Sequence, residues 1–237
     1  MYRAVSYEEA GKYSDAIKDY QKGLELNGEQ YYKENESSNG FRSKKLENNP
    51  AYYVVLCKDA LENRGYENNV ETLGYLGTAY RMIGDIDNSV KILTQAITIE
   101  PNNGTSYLYR GDTHWANGNY QLAVNDYRRG KRLNPNSTFK TLEDQYAEID
   151  PYNFKVNYID SNRSNQVRQF KSTVTFDFNS GPDYFFRSLQ GDTDLVLYSP
   201  ERIDNLRRGQ RVTVYFTHRP TTWDNIGKRN VLIGVVQ

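Results

Sequence analysis

Residues 117–135 read NGNYQLAVNDYRRGKRLNP, and residues 10–28 read AGKYSDAIKDYQKGLELNG. Gly11, Ala16, Tyr20 and Gly23 of the earlier stretch fall in register with Gly118, Ala123, Tyr127 and Gly130 of the later one. A nearer copy precedes the second stretch: Gly77 and Gly111, Gly84 and Gly118, Ala96 and Gly130, Pro101 and Pro135 are each 34 residues apart. A fixed period of this length with small residues and aromatics at set places is the pattern of a helix-turn-helix unit, which buries its apolar face only by stacking on its neighbours.

Each conserved size has a mechanical reason. Gly77 and Gly111 remove side chains where the first helix of a pair crosses the second closely, and Ala96 and Ala123 do the same from the other side. Gly84 and Gly118 end first helices through a left-handed cap, and Pro101 and Pro135 stop second helices. The pattern predicts helices at 70–83, 87–99, 104–117 and 121–133.

On these residues the chain resembles the tetratricopeptide repeat family. In the unit from Gly104 the pattern is met by Tyr107, Gly111, Ala123, Tyr127 and Pro135, with Arg110 and His114 where leucine and tyrosine are usual. In the unit from Val70 it is met by Leu73, Leu76, Gly77, Tyr80, Ala96 and Pro101, with Ser89 replacing the usual alanine. Gly11 and Gly118 lie 107 residues apart, three periods plus five, so an irregular unit is expected at 29–69. Its second helix is predicted at 50–63, PAYYVVLCKDALEN; its first would come from 29–47, where Ser37, Ser38, Asn39 and Gly40 make a poor helix interior and predict a break. After Pro135 a terminal helix is expected through Ile149, covering the last apolar face of an all-α superhelical solenoid over 1–150.

Beyond a linker at 151–167 the period falls to two. Val174, Phe176 and Phe178 alternate with Thr173, Thr175 and Asp177; Val212, Val214 and Phe216, then Val231, Ile233 and Val235, alternate likewise. With DYFFRSL at 183–189 and TDLVLYS at 193–199 these make five strands over 168–237, and SPERIDNLRRG at 199–209 reads as a short helix between the third and fourth. That order resembles a small OB-fold-like β-barrel, with an SH3-like barrel as the alternative. The fold class is therefore α + β multidomain.

Composition narrows function. Thirty basic and 30 acidic residues cancel, which argues against a chain coating nucleic acid along its length; residues 1–150 carry 18 basic and 22 acidic side chains, and 151–237 carry 12 and 8. One cysteine, Cys57, and two histidines leave no material for a Cys/His zinc cluster, and no cofactor is implied. Cys57 reads as a buried helix position, His114 as repeat core, and His218 as loop-borne without a partner; no phosphate loop or nucleophile elbow occurs. The chain is read as a non-enzymatic scaffold or adaptor for a protein or peptide. The family resemblance implies a concave groove lined by Glu71, Thr78, Arg81 and Met82 of one unit and Leu108, Asp112 and Trp115 of the next. The alternative is a barrel that binds single-stranded nucleic acid or another ligand through Tyr184, Phe186, Arg219 and Trp223. The register of the first copy opens about three residues before Met1, which, with the few cysteines, favours an exported bacterial protein whose anchor or signal has been removed over a cytoplasmic one.

Overall fold

The computed structural model describes residues 2–33, 36–37, 40–41, 48–154, 168–189, 194–199, 201–218 and 230–237. The chain divides into two compact units, 1–141 and 142–237.

The first unit is helical: α1 (Tyr2–Glu9), α2 (Tyr13–Lys33), α3 (Pro50–Asn63), α4 (Val70–Met82), α5 (Ile86–Ile99), α6 (Gly104–Ala116) and α7 (Tyr120–Leu133). Three of these helices open on side-chain caps, Asn69 accepting from the Thr72 N–H, Asp85 from Asn88 and Asn103 from Ser106. The two kinds of glycine separate cleanly. Gly84 and Gly118 have φ of 84° and 76° with open space where a side chain would go, so they serve the turn. Gly77 and Gly111 are ordinary helical residues, but a Cβ at Gly77 would overlap Leu93 of α5, and one at Gly111 would stand 2.5 Å from the Tyr127 ring of α7.

Three departures from the repeat pattern are resolved locally. Ser89 is fully buried yet its hydroxyl is satisfied, donating to the Gly77 carbonyl at 2.7 Å and lying 2.8 Å from the Thr113 hydroxyl, so it ties α5 to both α4 and α6. Arg110 forms a two-pronged pair with Asp126 of α7, both contacts 2.8 Å, and reaches Thr94 of α5 at 3.2 Å. His114 lies 3.9 Å from the same carboxylate, and burial is the main cause of its pKa being depressed.

The irregular stretch departs from the expected first helix. Backbone helix α2 continues to Lys33, interrupted at Asn27 (φ −141°, ψ 39°), and is followed by a minimal antiparallel pair, β1 (Glu36–Ser37) with β2 (Gly40–Phe41). Helix α3 stands where 50–63 predicts it. Every residue from Ala51 to Cys57 is buried, so its first two turns have no solvent face. Asn49 provides no side-chain cap for α3; Glu8 of α1 does so from 43 residues away, its Oε1 accepting from the Ala51 N–H at 2.6 Å and its Oε2 from the Tyr20 hydroxyl at 2.7 Å. Burial raises the Glu8 pKa, and these hydrogen bonds oppose the rise.

The second unit opens where a terminal helix was expected. Residues 142–145 form one 3₁₀ turn, β3 (Ala147–Glu148) runs parallel to the start of β4, and α8 (Pro151–Phe154) is a single turn that buries Phe154 among Phe170, Phe216 and His218. Glu143 accepts from Lys171 at 3.1 Å and from the Tyr215 hydroxyl at 2.9 Å, which holds this segment to the sheet. The strands are β4 (Arg168–Ser180), β5 (Asp183–Arg187), β6 (Asp194–Tyr198), β7 (Arg211–His218) and β8 (Asn230–Val236). Their order is β4-β5-β6-β8-β7, and β7 pairs back onto β4 over Arg168–Thr175, so the pairing returns to its first strand. The core joins Val174, Phe176, Phe186, Leu195, Leu197, Val212 and Val214. Residues 201–209, within the stretch 199–209 expected to hold a short helix, form no helix; Gly209 and Gln210 instead exchange backbone hydrogen bonds with Phe176.

Candidate binding surfaces

Four of the seven expected groove residues are accessible. Glu71 is exposed and accepts from the Tyr75 hydroxyl at 2.9 Å, the Thr78 hydroxyl donates to the Gly74 carbonyl, and Arg81 and Met82 are half-buried at the end of α4. The other three are buried, which corrects their expected exposure. Leu108 is 1% exposed, under the close approach of Gly130; Asp112 accepts from the Tyr127 hydroxyl at 2.7 Å; the Trp115 ring packs edge-on to Tyr120 at 4.9 Å and tilted to Tyr127 at 6.1 Å. The reason is local: in the last unit glycines at 111 and 130 let α7 close down on α6, and α7 supplies the aromatics that cover this face.

The expected ligand face of the second unit is also inverted. Tyr184 and Phe186 are core residues, 3% and 0% exposed, and the Tyr184 hydroxyl accepts from the Ile203 N–H. Arg219 and Trp223 lie outside the described residues. Strand alternation alone is blind to which face is outward, and a register shift between Phe176 and Phe178 complicates it further. One extra residue turns Phe178 out, and Asp177 is covered by Arg187 and Arg208, each 2.8 Å from it. Phe178 and Phe185 thus face outward; the sequence offers Phe185 among the aromatics that could stack on a base but does not single out Phe178, whose signal would have been the bulge, which no residue type announces.

Among the described residues, Cys57 and the two histidines are each buried or half-buried within the packing. Burial raises the Cys57 pKa far above the range in which a thiolate forms. His218, expected in a loop, ends β7 and is buried, with Nδ1 2.8 Å from the Asn230 Oδ1. His114 serves the α6–α7 junction as the sequence suggests. Among the described residues no group of three His, Cys, Asp or Glu is placed to hold a metal, and no helix is long and apolar enough to cross a membrane.

Residues 3–30, 70–103 and 105–137 match the family model for the tetratricopeptide repeat. The helical unit contains three tetratricopeptide repeats. Their boundaries coincide with α1–α2, α4–α5 and α6–α7, and the segment between the first and second repeats, 31–69, is the one holding α3 and the short hairpin. No curated protein matches the chain. Tetratricopeptide repeats generally mediate protein–protein interaction and are typically non-enzymatic.

Proposed function

We propose that this protein is a non-enzymatic adaptor that binds a protein or peptide partner through the concave side of a superhelical repeat array. The observation that carries this reading is the packing of α4 to α7, whose glycines and Ser89 hold the helices together and leave Glu71, Thr78, Arg81 and Met82 accessible on one of them. Glu71 opens α4, and Arg81 and Met82 close it, a mix of opposite charges and one apolar side chain suited to an extended segment with one hydrophobic anchor. Leu108, Asp112 and Trp115 shape the wall of the last repeat from within instead of touching a ligand.

The second unit is read as a closed OB-like barrel. Counting β4 as the first strand, the order 1-2-3-5-4 with the fourth returning to the first, and the parallel contact between β6 and β8, support this over an SH3-like roll. The absence of the helix expected within 199–209, of which 201–209 are described, is a departure from the expected element order.

A Glu71→Lys/Arg81→Glu double reversal tests the groove, with Leu122→Ser on the exposed face of α7 as control. A partner retained by the wild type and the control but lost from the double reversal is the expected result. An unchanged partner set with the double reversal removes the groove from the account.

A further inference from the structure

Glu71, in the first turn of α4, is an exposed carboxylate with two tyrosines about it. Tyr75, one turn on, donates its hydroxyl to Glu71 Oε1 at 2.9 Å. Tyr109 comes from the neighbouring first helix, α6. Because Gly74 has no side chain, the Tyr109 ring lies against α4, and a Cβ at position 74 would stand 3.0 Å from its Cε2. Phe139 meets the same ring edge-on, with centroids 5.2 Å apart. Both tyrosines are half-buried. With Leu108, Asp112 and Trp115 of α6 buried, Tyr109 is an aromatic that α6 still presents beside Glu71.

The electrostatics of this place have one sign. Burial is the main cause that raises the pKa of each phenol, and Glu71 adds to both: at Tyr75 through the hydrogen bond and its charge, at Tyr109 through its charge, with Asp112 adding a further push there. Among the described residues Glu71 forms no ion pair, and the Tyr109 hydroxyl makes no hydrogen bond. An acid in the first turn of a helix is ordinary, since it complements the helix dipole. Two half-buried phenols beside it have no part in that.

A carboxylate with a cation-seeking oxygen, two electron-rich rings and a spare phenol oxygen offers a cation three kinds of contact: charge pairing, ring-face attraction and acceptance of N–H hydrogen bonds. A calcium or magnesium ion asks for six or more oxygens, and one carboxylate with neutral phenols falls short. An anionic ligand meets the wrong charge. An organic cation fits, and a partner that is a protein segment carries it as lysine or arginine. We propose that Glu71, Tyr75 and Tyr109 receive one basic side chain of the partner segment, its ammonium or guanidinium set against the Glu71 carboxylate and beside the tyrosine rings. This rests on the adaptor reading and adds to it the chemistry of the partner.

The test is selection of a random dodecapeptide phage library on the full chain, followed by calorimetric titration of the best synthetic peptide. Lysine or arginine at one fixed place in the selected peptides is expected. Norleucine for that lysine, or citrulline for that arginine, should weaken binding about tenfold or more, as should Glu71→Gln and Tyr109→Leu. Glu71→Gln should add little to the loss already suffered by the neutral peptide, because both changes remove one contact. Matching melting curves for wild type and variants separate lost binding from lost fold. Peptides that bind through the groove without a fixed basic place, or losses that simply add, overturn the cation site and leave the adaptor reading standing. No selected peptide at all, or peptides that bind Glu71→Lys/Arg81→Glu as they bind the wild type, overturn both.

Discussion

Gly77→Ala should destabilise the helical unit through a clash whose relief can be engineered. An ideal Cβ at position 77 would stand 2.7 Å from Leu93 Cδ2, 3.0 Å from Cδ1, and closer still to Cγ. Carbon atoms rest about 3.5–4.0 Å apart, so α4 and α5 must separate by about 1 Å or Leu93 must leave its rotamer. Leu93 is fully buried and its branch point is the atom struck, so rotation alone does not clear the contact. Overpacking of this kind costs about 3 kcal/mol at the upper end, and alanine returns about 1 kcal/mol of helix propensity over glycine, leaving a net loss of about 2 kcal/mol. Leu93→Ala alone should cost about 3 kcal/mol by cavity formation. In that background the new methyl enters the cavity, so Gly77→Ala becomes neutral or mildly stabilising and the pair couples by about 2–3 kcal/mol. Urea unfolding followed by circular dichroism at 222 nm, which reports chiefly on the helical unit, measures all four states. An equal cost for Gly77→Ala with and without Leu93 would refute the close-crossing account of the repeat glycines.

Four further outcomes follow from the same packing. Ser89→Ala should cost about 1 kcal/mol despite matching the usual repeat residue, since the Gly77 carbonyl and Thr113 hydroxyl lose their link; an unchanged urea midpoint counts against it. Arg110→Leu should cost about 3 kcal/mol by stranding a carboxylate that is 10% exposed, and Arg110→Leu/Asp126→Leu should recover most of this in the same assay. Glu8→Ala should loosen α3 selectively, seen as faster amide exchange at Ala51 and Tyr52 than in α6, because one distant carboxylate caps that helix. His114 titrates below its ordinary value of 6.5 in the folded state, so the unfolded chain binds the proton first. Stability should therefore fall as pH drops from about 6.5 through the depressed folded pKa. His114→Tyr, the usual repeat residue, should reduce that decline in pH-dependent unfolding.

Much of the first unit was legible because its constraints are short-range. Gly84 and Gly118 answer to backbone conformation and Gly77 and Gly111 to one neighbouring helix, so a 34-residue period places four helices within about a residue of where they lie. The site was less legible. Leu108, Asp112 and Trp115 fall at groove positions by register, yet α7 closes over them, and register carries no information about how closely the last helix sits. Phe178 reads as inward by alternation until a bulge, set by the pairing of two strands, turns it out.

The sequence by itself determined that the chain is a repeat array followed by a sheet, where most helices begin and end, and which small residues set their spacing, because turns, caps and periodicity act within a few residues. Tertiary structure decided that Glu8 caps α3, that residues 142–154 join the sheet instead of the helices, and which aromatics face out. The first two of these outcomes depend on groups 28 to 72 residues apart in the chain, such as Glu143 with Lys171 and Tyr215, and the third on the bulge in the pairing of β4 with β5. Burial selects among such partners only once the whole core has closed.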